Sequence, residues 1–437
     1  MRKIQGMGKG FLGALLLLGM LVQGCSKTSD ALKISSWGDI KENTILQGLI
    51  DDFQKANPDI KVELQRVPWG EYNTKLLTQF AGGLAPDVIF ASTDNIGDLY
   101  FRNVLEPLDP YIQSDPAYAS TLKDFYPTLM NRFTVNGSLY VLPRDISPVC
   151  VLYYNKKEFQ EAGLPMPSDD WDWTDFLKAA KALTKVDQAG RTTQWGITED
   201  WAMIEPWVYS AGGRWVDNPQ KPTKWAFDTP EFIKGLQFRA DLMNKYKVMP
   251  SPANMTAMGG VGASDMFVNG TAAMFISGIW KTPQFRDIKT FDWDVALFPK
   301  GPGGTRGYQS GGSGYGILST SKHKKEAWKL VSFLAGPEGE KKMASTGLVQ
   351  PALMSVANSP VFLDGQKPLN KKILLKAEPY GIFMPLMVNW QEVYQGNVIP
   401  TFDNLWLGKT DAAGAVSQLW KKIKDRSFGT DQKGGAK

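Results

Sequence analysis

Three tryptophans stand where short apolar, strand-like runs end: Trp37 in Ser36-Trp37-Gly38, Trp69 in Pro68-Trp69, and Trp280 in Ser277-Gly278-Ile279-Trp280. A fourth such run ends in Ser92-Thr93-Asp94. An indole offers broad, stiff area with little entropy to lose, and Asp, Arg or Asn beside it offer strong directional hydrogen bonds. That pairing suits a solute with an apolar face and a belt of hydroxyls, which is the shape of a sugar ring. The sequence holds fifteen Trp, and Trp171, Trp173, Trp195, Trp201, Trp207, Trp215, Trp225 and Trp293 crowd its middle. Interior packing is the competing assignment for any single one. Trp328 and Trp420, inside helical patterns, read as core. Asp94 also has a second reading, as the cap of a following helix.

Motifs for reaction chemistry fall short. Eight of the sixteen residues in 301–316 are glycine, yet no G-x-G-x-x-G register exists there. Gly408-Lys409-Thr410 looks like the close of a phosphate loop, but the first glycine of that motif would fall on Asp403. Gly311-Gly312-Ser313-Gly314 misses a nucleophile elbow because Tyr315 takes the last glycine's place. The single histidine, His323, lies in Ser321-Lys322-His323-Lys324-Lys325, a solvated cationic turn rather than a setting for a triad. Glycoside hydrolysis needs only two carboxylates, and 44 acidic residues leave that alternative open. One His and two Cys exclude a His-rich metal site, a zinc ribbon and a disulfide framework. No cofactor or metal is expected.

The 437 residues are 43% hydrophobic and 21% charged, enough for two or three lobes with a large core. Lys+Arg 49 against Asp+Glu 44 leaves +5, too balanced for a nucleic-acid binder. Arg2, Lys3 and Lys9 precede an apolar run of twelve residues, 11–22. A bilayer takes roughly 20 helical residues, so the run matches the core of a signal peptide instead. Gln23-Gly24-Cys25 follows, and a small residue before a cysteine is the pattern of a bacterial lipoprotein signal. Residues 1–24 would then be the signal peptide, Cys25 the lipidated first residue, and 25–30 a tether; plain secretion is the alternative. Loss of 1–24 removes three cations and lowers the net charge to +2. Cys150, the other thiol, reads as a small core residue.

These residues need elements to carry them. Leu32 and Ile34 mark a strand; Ile45, Leu49 and Phe53, widened by Leu46 and Ile50, mark an amphipathic helix that Asn57-Pro58 stops. Ile60, Val62 and Leu64 alternate as a second strand. Leu76, Leu77 and Phe80 lie on a helix broken at Gly82-Gly83, and 87–90 is a buried strand. This β-α-β-α-β order predicts a parallel sheet with right-handed crossovers. Strands are further expected over 140–143, 149–154 and 272–276. Helices are expected from Asp172 or Thr174 through Leu183 and over 231–246, 327–334 and 412–423. The stretch 301–316 reads as an extended loop leading into a strand. The fold class is α/β in two lobes, and solutes of such sheets bind beyond the carboxyl ends of the strands.

Several segments, in order, resemble one family. They are FQKANPDIKV (53–62), AGGLAPDVIF (81–90), LEPLDPYI (105–112), NGSLYVLPRD (136–145), LYYNKKEFQEAGLP (152–165), WDWTDFLKAAKALT (171–184) and FVNGTAAMFISGIW (267–280). The Gly-rich 301–316 and SKHKKEAWKLVSFL follow. The chain is thereby identified as similar to the bacterial extracellular solute-binding proteins of family 1, receptors of ABC sugar importers. The resemblance implies a periplasmic-binding-protein fold, with hinge-linked parallel or mixed sheets around a central cleft. One lobe would span 31–144 plus 299–350 and the other 148–298 plus 355–437, with crossings near 144–147, 298–300 and 350–354. It also implies ligand contacts at Trp37, Trp69, Thr93, Asp94, Asp145, Trp280, Tyr308, Gly312 and Trp390, with Trp201 and Trp207 as further candidates. Arg144 beside Asp145 leaves two roles open for that carboxylate, meeting ligand or pairing with its neighbour.

The implied function is a monomeric, lipid-anchored receptor outside the cytoplasm. It captures a carbohydrate, favoured as an oligosaccharide, and delivers it to membrane permease subunits without chemistry of its own. The alternatives are a receptor for glycerol phosphate, a polyamine or an iron complex, or a carboxylate-based glycoside-active lipoprotein. Phosphate would call for clustered cations or a helix N-terminus, a polyamine for several cleft carboxylates, and iron for Tyr or His ligands. The aromatic strand ends favour a neutral sugar.

Overall fold

A computed structural model describes residues 31–200 and 203–429. Strands β1 (Leu32–Ser36), β2 (Val62–Arg66) and β3 (Val88–Ser92) pair in parallel, with Leu32 opposite Val62 and Ile34 opposite Val88. The crossovers between them are the helices α1 (Ile40–Ala56) and α2 (Trp69–Ala81). Asp39 caps α1 by accepting from the Glu42 N–H at 2.8 Å, and Leu46, Leu49, Ile50 and Phe53 turn one face of the helix into the core. A short hairpin, β4 (Thr134–Val135) with β5 (Ser138–Leu139), precedes the long strand β6 (Val141–Pro148).

The second sheet begins at once. It contains β7 (Val151–Asn155), β8 (Lys185–Val186), β9 (Thr192–Glu199), β10 (Ala272–Ser277) and β11 (Trp293–Leu297), in the spatial order β11-β7-β10-β9-β8. Its helix Trp173–Leu183 starts at Asp172, not Thr174, in a capping box with Asp175. The chain then returns to the first sheet through β12 (Tyr308–Ile317), and β13 (Gln350–Pro351) and β14 (Gly381–Ile382) complete it. The order there is β13-β6-β12-β3-β1-β2, with β14 on β12. Both sheets are mixed: β12 runs antiparallel to β3 and β6, and β7 antiparallel to β10 and β11.

The glycine-rich stretch departs from expectation. Most of it is not loop but β12, a ten-residue strand in the middle of the sheet. Its glycines permit close approach by β6: a Cβ on Gly314 would stand 2.3 Å from the Leu142 carbonyl oxygen. Composition read as looseness is here tight packing.

The chain passes between the sheets after Pro148, after Leu297 and beyond Pro351. Cys150 lies in the first of these passages, buried and unpaired, and burial holds its thiol well above the usual range. The C-terminal portion does not stay with one sheet. Helix Ile373–Ala377 packs on β11, β14 rejoins the first sheet, and helices Ile399–Trp406 and Ala412–Ile423 return to helix Pro230–Asn244.

Candidate functional site

The parallel geometry of β1, β2 and β3 puts Trp37, Trp69 and Thr93-Asp94 at one edge of the first sheet. Trp37 is half-buried and meets three rings edge-on: Trp69 at 4.9 Å, Tyr72 at 4.9 Å and Phe90 at 5.2 Å between centroids. Trp69, first residue of α2, is 49% exposed. Trp69 thus packs against Trp37 while leaving about half of its surface open to solvent.

Beside the rings lies a buried ionic group. Arg144 donates through Nε to Asp145 at 2.6 Å and through Nη1 to Glu42 at 3.1 Å, with its guanidinium 4.8 Å above the Phe90 ring. Asp145 also accepts from the Ser313 N–H at 3.0 Å and hydroxyl at 2.6 Å. At the crossing Asp145 pairs with its neighbour, its oxygens accepting from Arg144 and Ser313. Burial pushes the Glu42 carboxyl up, with Arg144 opposing. Burial disfavours the Arg144 charge, yet Asp145 and Glu42 together raise its proton affinity.

Thr93 and Gly312 meet through backbone, the Thr93 N–H donating to the Gly312 carbonyl at 3.0 Å. Gly312 has no room for a side chain, since a Cβ would stand 2.8 Å from the Asp145 carbonyl oxygen. Asp94 does not cap the following helix. It accepts from Gln309 Nε2 at 2.8 Å, and burial lifts its carboxyl to about 6 against the pull of Arg132. Arg132 itself is buried and donates through Nε to the Thr93 carbonyl at 2.8 Å. Burial lowers its proton affinity to about 10.

The second sheet supplies Trp280. Its half-buried ring folds back over Gly278, where a Cβ would fall 1.8 Å from the indole, so only glycine fits. Tyr153 donates to the Gly278 carbonyl at 2.9 Å and fixes that turn. Asp200, at the end of β9, accepts from the Ser277 hydroxyl and lies 3.6 Å from Lys281 Nζ. Contact between the two edges is direct: Lys41 in α1 donates to the Pro283 carbonyl at 2.7 Å. Trp37 and Trp280 each sit a few residues from that bond.

Three expected ligand contacts are enclosed in the structure. Trp207 is 0% exposed among Trp173, Phe176, Phe238 and Phe298, with Nε1 donating to Glu199 at 3.3 Å. Trp390 is 1% exposed within a ring cluster of Trp215, Trp225 and Tyr394. Tyr308 is buried at the second crossing, its hydroxyl donating to the Ala377 carbonyl. These side chains are surrounded by protein and present no face to a solute here. Trp201 and Cys25 lie outside the described residues.

The structure adds residues the sequence did not single out. Arg132 and Gln309 hold the Thr93-Asp94 corner, and Asp200 and Lys281 flank Trp280. Glu205 is the most unusual: it accepts from Trp215 Nε1 at 2.9 Å and the Tyr394 hydroxyl at 3.2 Å, and its carboxyl is pushed up to about 7 by burial, with Asp94's charge adding to the rise. One signal was available for Asp200, an acidic pair beside Trp201 at the end of an apolar run; Arg132 and Glu205 had none.

Glu205 carries a pH prediction. The folded protein holds a proton that an unfolded Glu, near 4.5, releases. This group's stabilisation is therefore full below about pH 4.5 and lost as pH rises through 7. Glu205→Gln removes the buried charge, so urea unfolding at pH 8 should show the variant more stable than wild type, by about 2–3 kcal/mol. The advantage should have largely gone by pH 5 and vanish below about pH 4.5. An advantage at neither pH would place Glu205 in a better-solvated setting than its burial implies.

Among the described residues no group of three or more His, Cys, Asp or Glu could hold a metal ion, and no helix is long and apolar enough to cross a membrane. The family model for the bacterial extracellular solute-binding proteins matches residues 37–341. The multiple sugar-binding protein of Streptococcus mutans is 28% identical over 347 residues, 74% of this chain and 77% of that one. A solved ABC substrate-binding protein from Listeria monocytogenes, in complex with cycloalternan, superposes with TM-score 0.81 at 26% identity, over 90% of this chain and 97% of that one. UgpB from Mycobacterium tuberculosis, in complex with glycerophosphocholine, gives TM-score 0.74 at 17% identity, over 90% and 97%. That last likeness is one of fold alone.

Proposed function

Because the chain belongs to the bacterial extracellular solute-binding proteins, we propose that it captures a carbohydrate of oligosaccharide length in the gap between its two sheets. It delivers that solute to the permease subunits of an ABC importer and performs no chemistry of its own. The lobes are 31–144 plus 299–350 and 148–298 plus 355–437, the latter lending β14 to the first sheet. Trp37, Trp69, Thr93 and Asp94 meet the solute from one side and Trp280 from the other. Lipid on Cys25 tethers the monomer to the membrane outside the cytoplasm.

One observation carries this reading. The tryptophans at the strand ends of two separate sheets, Trp37, Trp69 and Trp280, all keep accessible surface, while Trp207, Trp215, Trp293 and Trp390 are fully buried. A chain that needed indoles only for packing would bury the first set with the second. Closure of the lobes brings the two aromatic edges together, and a solute touching both shifts the population toward the closed form.

A thermal-shift panel of neutral mono- and oligosaccharides tests it. At least one oligosaccharide should raise the melting temperature, and further so with concentration. A panel without any shift contradicts the carbohydrate assignment; conversion of a bound saccharide, seen by chromatography, contradicts the receptor assignment.

A further inference from the structure

Past Trp280, one short segment of the second lobe crosses to the first. It comprises helix Thr282–Phe285 and the next two residues, Arg286 and Asp287. Lys41, in the first turn of α1, donates to the Pro283 carbonyl at 2.7 Å and pairs with Asp287 Oδ2 at 3.0 Å. Arg286 makes the second bridge. Its Nη1 donates to the Thr346 carbonyl of the first lobe at 3.1 Å, while its Nε donates to the Lys367 carbonyl at 2.8 Å and its Nη2 lies 3.4 Å from Asp364. The guanidinium rests where a side chain on Gly347 would stand, the absent Cβ being 2.8 Å from Cζ, and Gly347 has φ +74°. Glycine is needed there both for the backbone and for the seat.

We propose that Lys41, Arg286 and Asp287 form a clasp that holds the two lobes together without solute and so sets the fraction of receptor already closed. The inference rests on the reading that the lobes close around a solute, but none of the three residues belongs to the strand ends assigned to that solute. Apparent affinity scales with the fraction of protein in the binding-competent form, so the clasp tunes capture from outside the site. Lys41 and Asp287 side chains are 50% and 77% exposed, which makes their pairing weak and salt-sensitive. A weak clasp is the useful kind, since a strong one would shut the receptor before it loaded.

Small-angle X-ray scattering of the ligand-free protein reads the effect directly. Lys41→Asp sets two carboxylates against each other and should enlarge the radius of gyration, as should Arg286→Met. The exchange Lys41→Asp with Asp287→Lys restores the ion pair but not the bond to the Pro283 carbonyl, and should bring the radius part of the way back to wild type. Wild-type and both single variants giving the same radius at low salt would overturn the clasp, and so would an exchange that leaves the radius as large as in Lys41→Asp alone. Melting temperatures near wild type establish that the variants are folded, as the exposure of Lys41 and Asp287 predicts. No solute enters the measurement, so a blank carbohydrate panel leaves this test intact, and a positive panel with an unchanged radius removes the clasp alone.

Discussion

Arg144→Met lowers the unfolding free energy by about 3–5 kcal/mol at neutral pH, the range expected when one partner of a buried ionic group is removed. The guanidinium is the cation shared by Asp145 and Glu42, and the side chains of all three are largely shielded from water. Methionine fills similar volume but leaves two carboxylates buried with no counter-charge from this position. The Ser313 bonds to Asp145 persist and hold the unpaired group in place. Glu42, already raised by burial, binds a proton more readily once Arg144 is gone. The deficit should therefore shrink toward pH 4 and be fully present at pH 7 and above, the sign for a carboxyl such as Glu42 whose folded form favours the proton. Urea unfolding across that pH range measures it. A loss below 1 kcal/mol at pH 7 would mean that water reaches the group.

The second large effect falls on binding. Trp280→Ala should weaken capture of the panel's best saccharide by about 2–4 kcal/mol, roughly 30- to 1,000-fold in Kd, as for other truncated aromatic anchors. The ring is fixed by its turn, lying over Gly278 with Tyr153 bracing the backbone beneath, so little entropy is lost when a sugar stacks on it. Trp207→Ala provides the contrast. That indole fills the interior between Trp173 and Phe298, so its removal should cost about 3–5 kcal/mol of stability through a cavity. Isothermal titration beside thermal melts separates the two: Trp280→Ala loses affinity more than stability, Trp207→Ala the reverse. Unchanged affinity in Trp280→Ala would take that ring out of the site.

Local pattern carried much of the architecture. The stripe of Leu46, Leu49 and Phe53 and the stop at Asn57-Pro58 describe α1, and the run 412–423 is the observed final helix to the residue. Parallel order for β1, β2 and β3 followed from helices alternating with strands. The glycine-rich stretch misled because a one-dimensional reading takes glycine as a loop signal. In β12 it marks close approach by β6, a property of the partner strand, which composition does not contain.

The site was legible only in part, and for a similar reason. Strand ends are local, so Trp37, Trp69 and Trp280 could be singled out by position. Whether an indole is covered depends on what the rest of the chain brings over it. Trp390 is enclosed by Trp215 and Trp225, far away in sequence, and Trp207 by Phe238 and Phe298. Buried polar groups are harder still. Arg132 lies in helix Pro127–Phe133, and only the fold reveals the Thr93 carbonyl it serves.

Hydroxyl-radical footprinting with and without the saccharide that gives the largest melting shift puts the central claim to its most direct test. Trp37, Trp69 and Trp280 should all be protected together on binding, while Leu84, 77% exposed just past the far end of α2, oxidises as before. Equal oxidation of the three indoles with and without bound saccharide would contradict a solute held between the two aromatic edges.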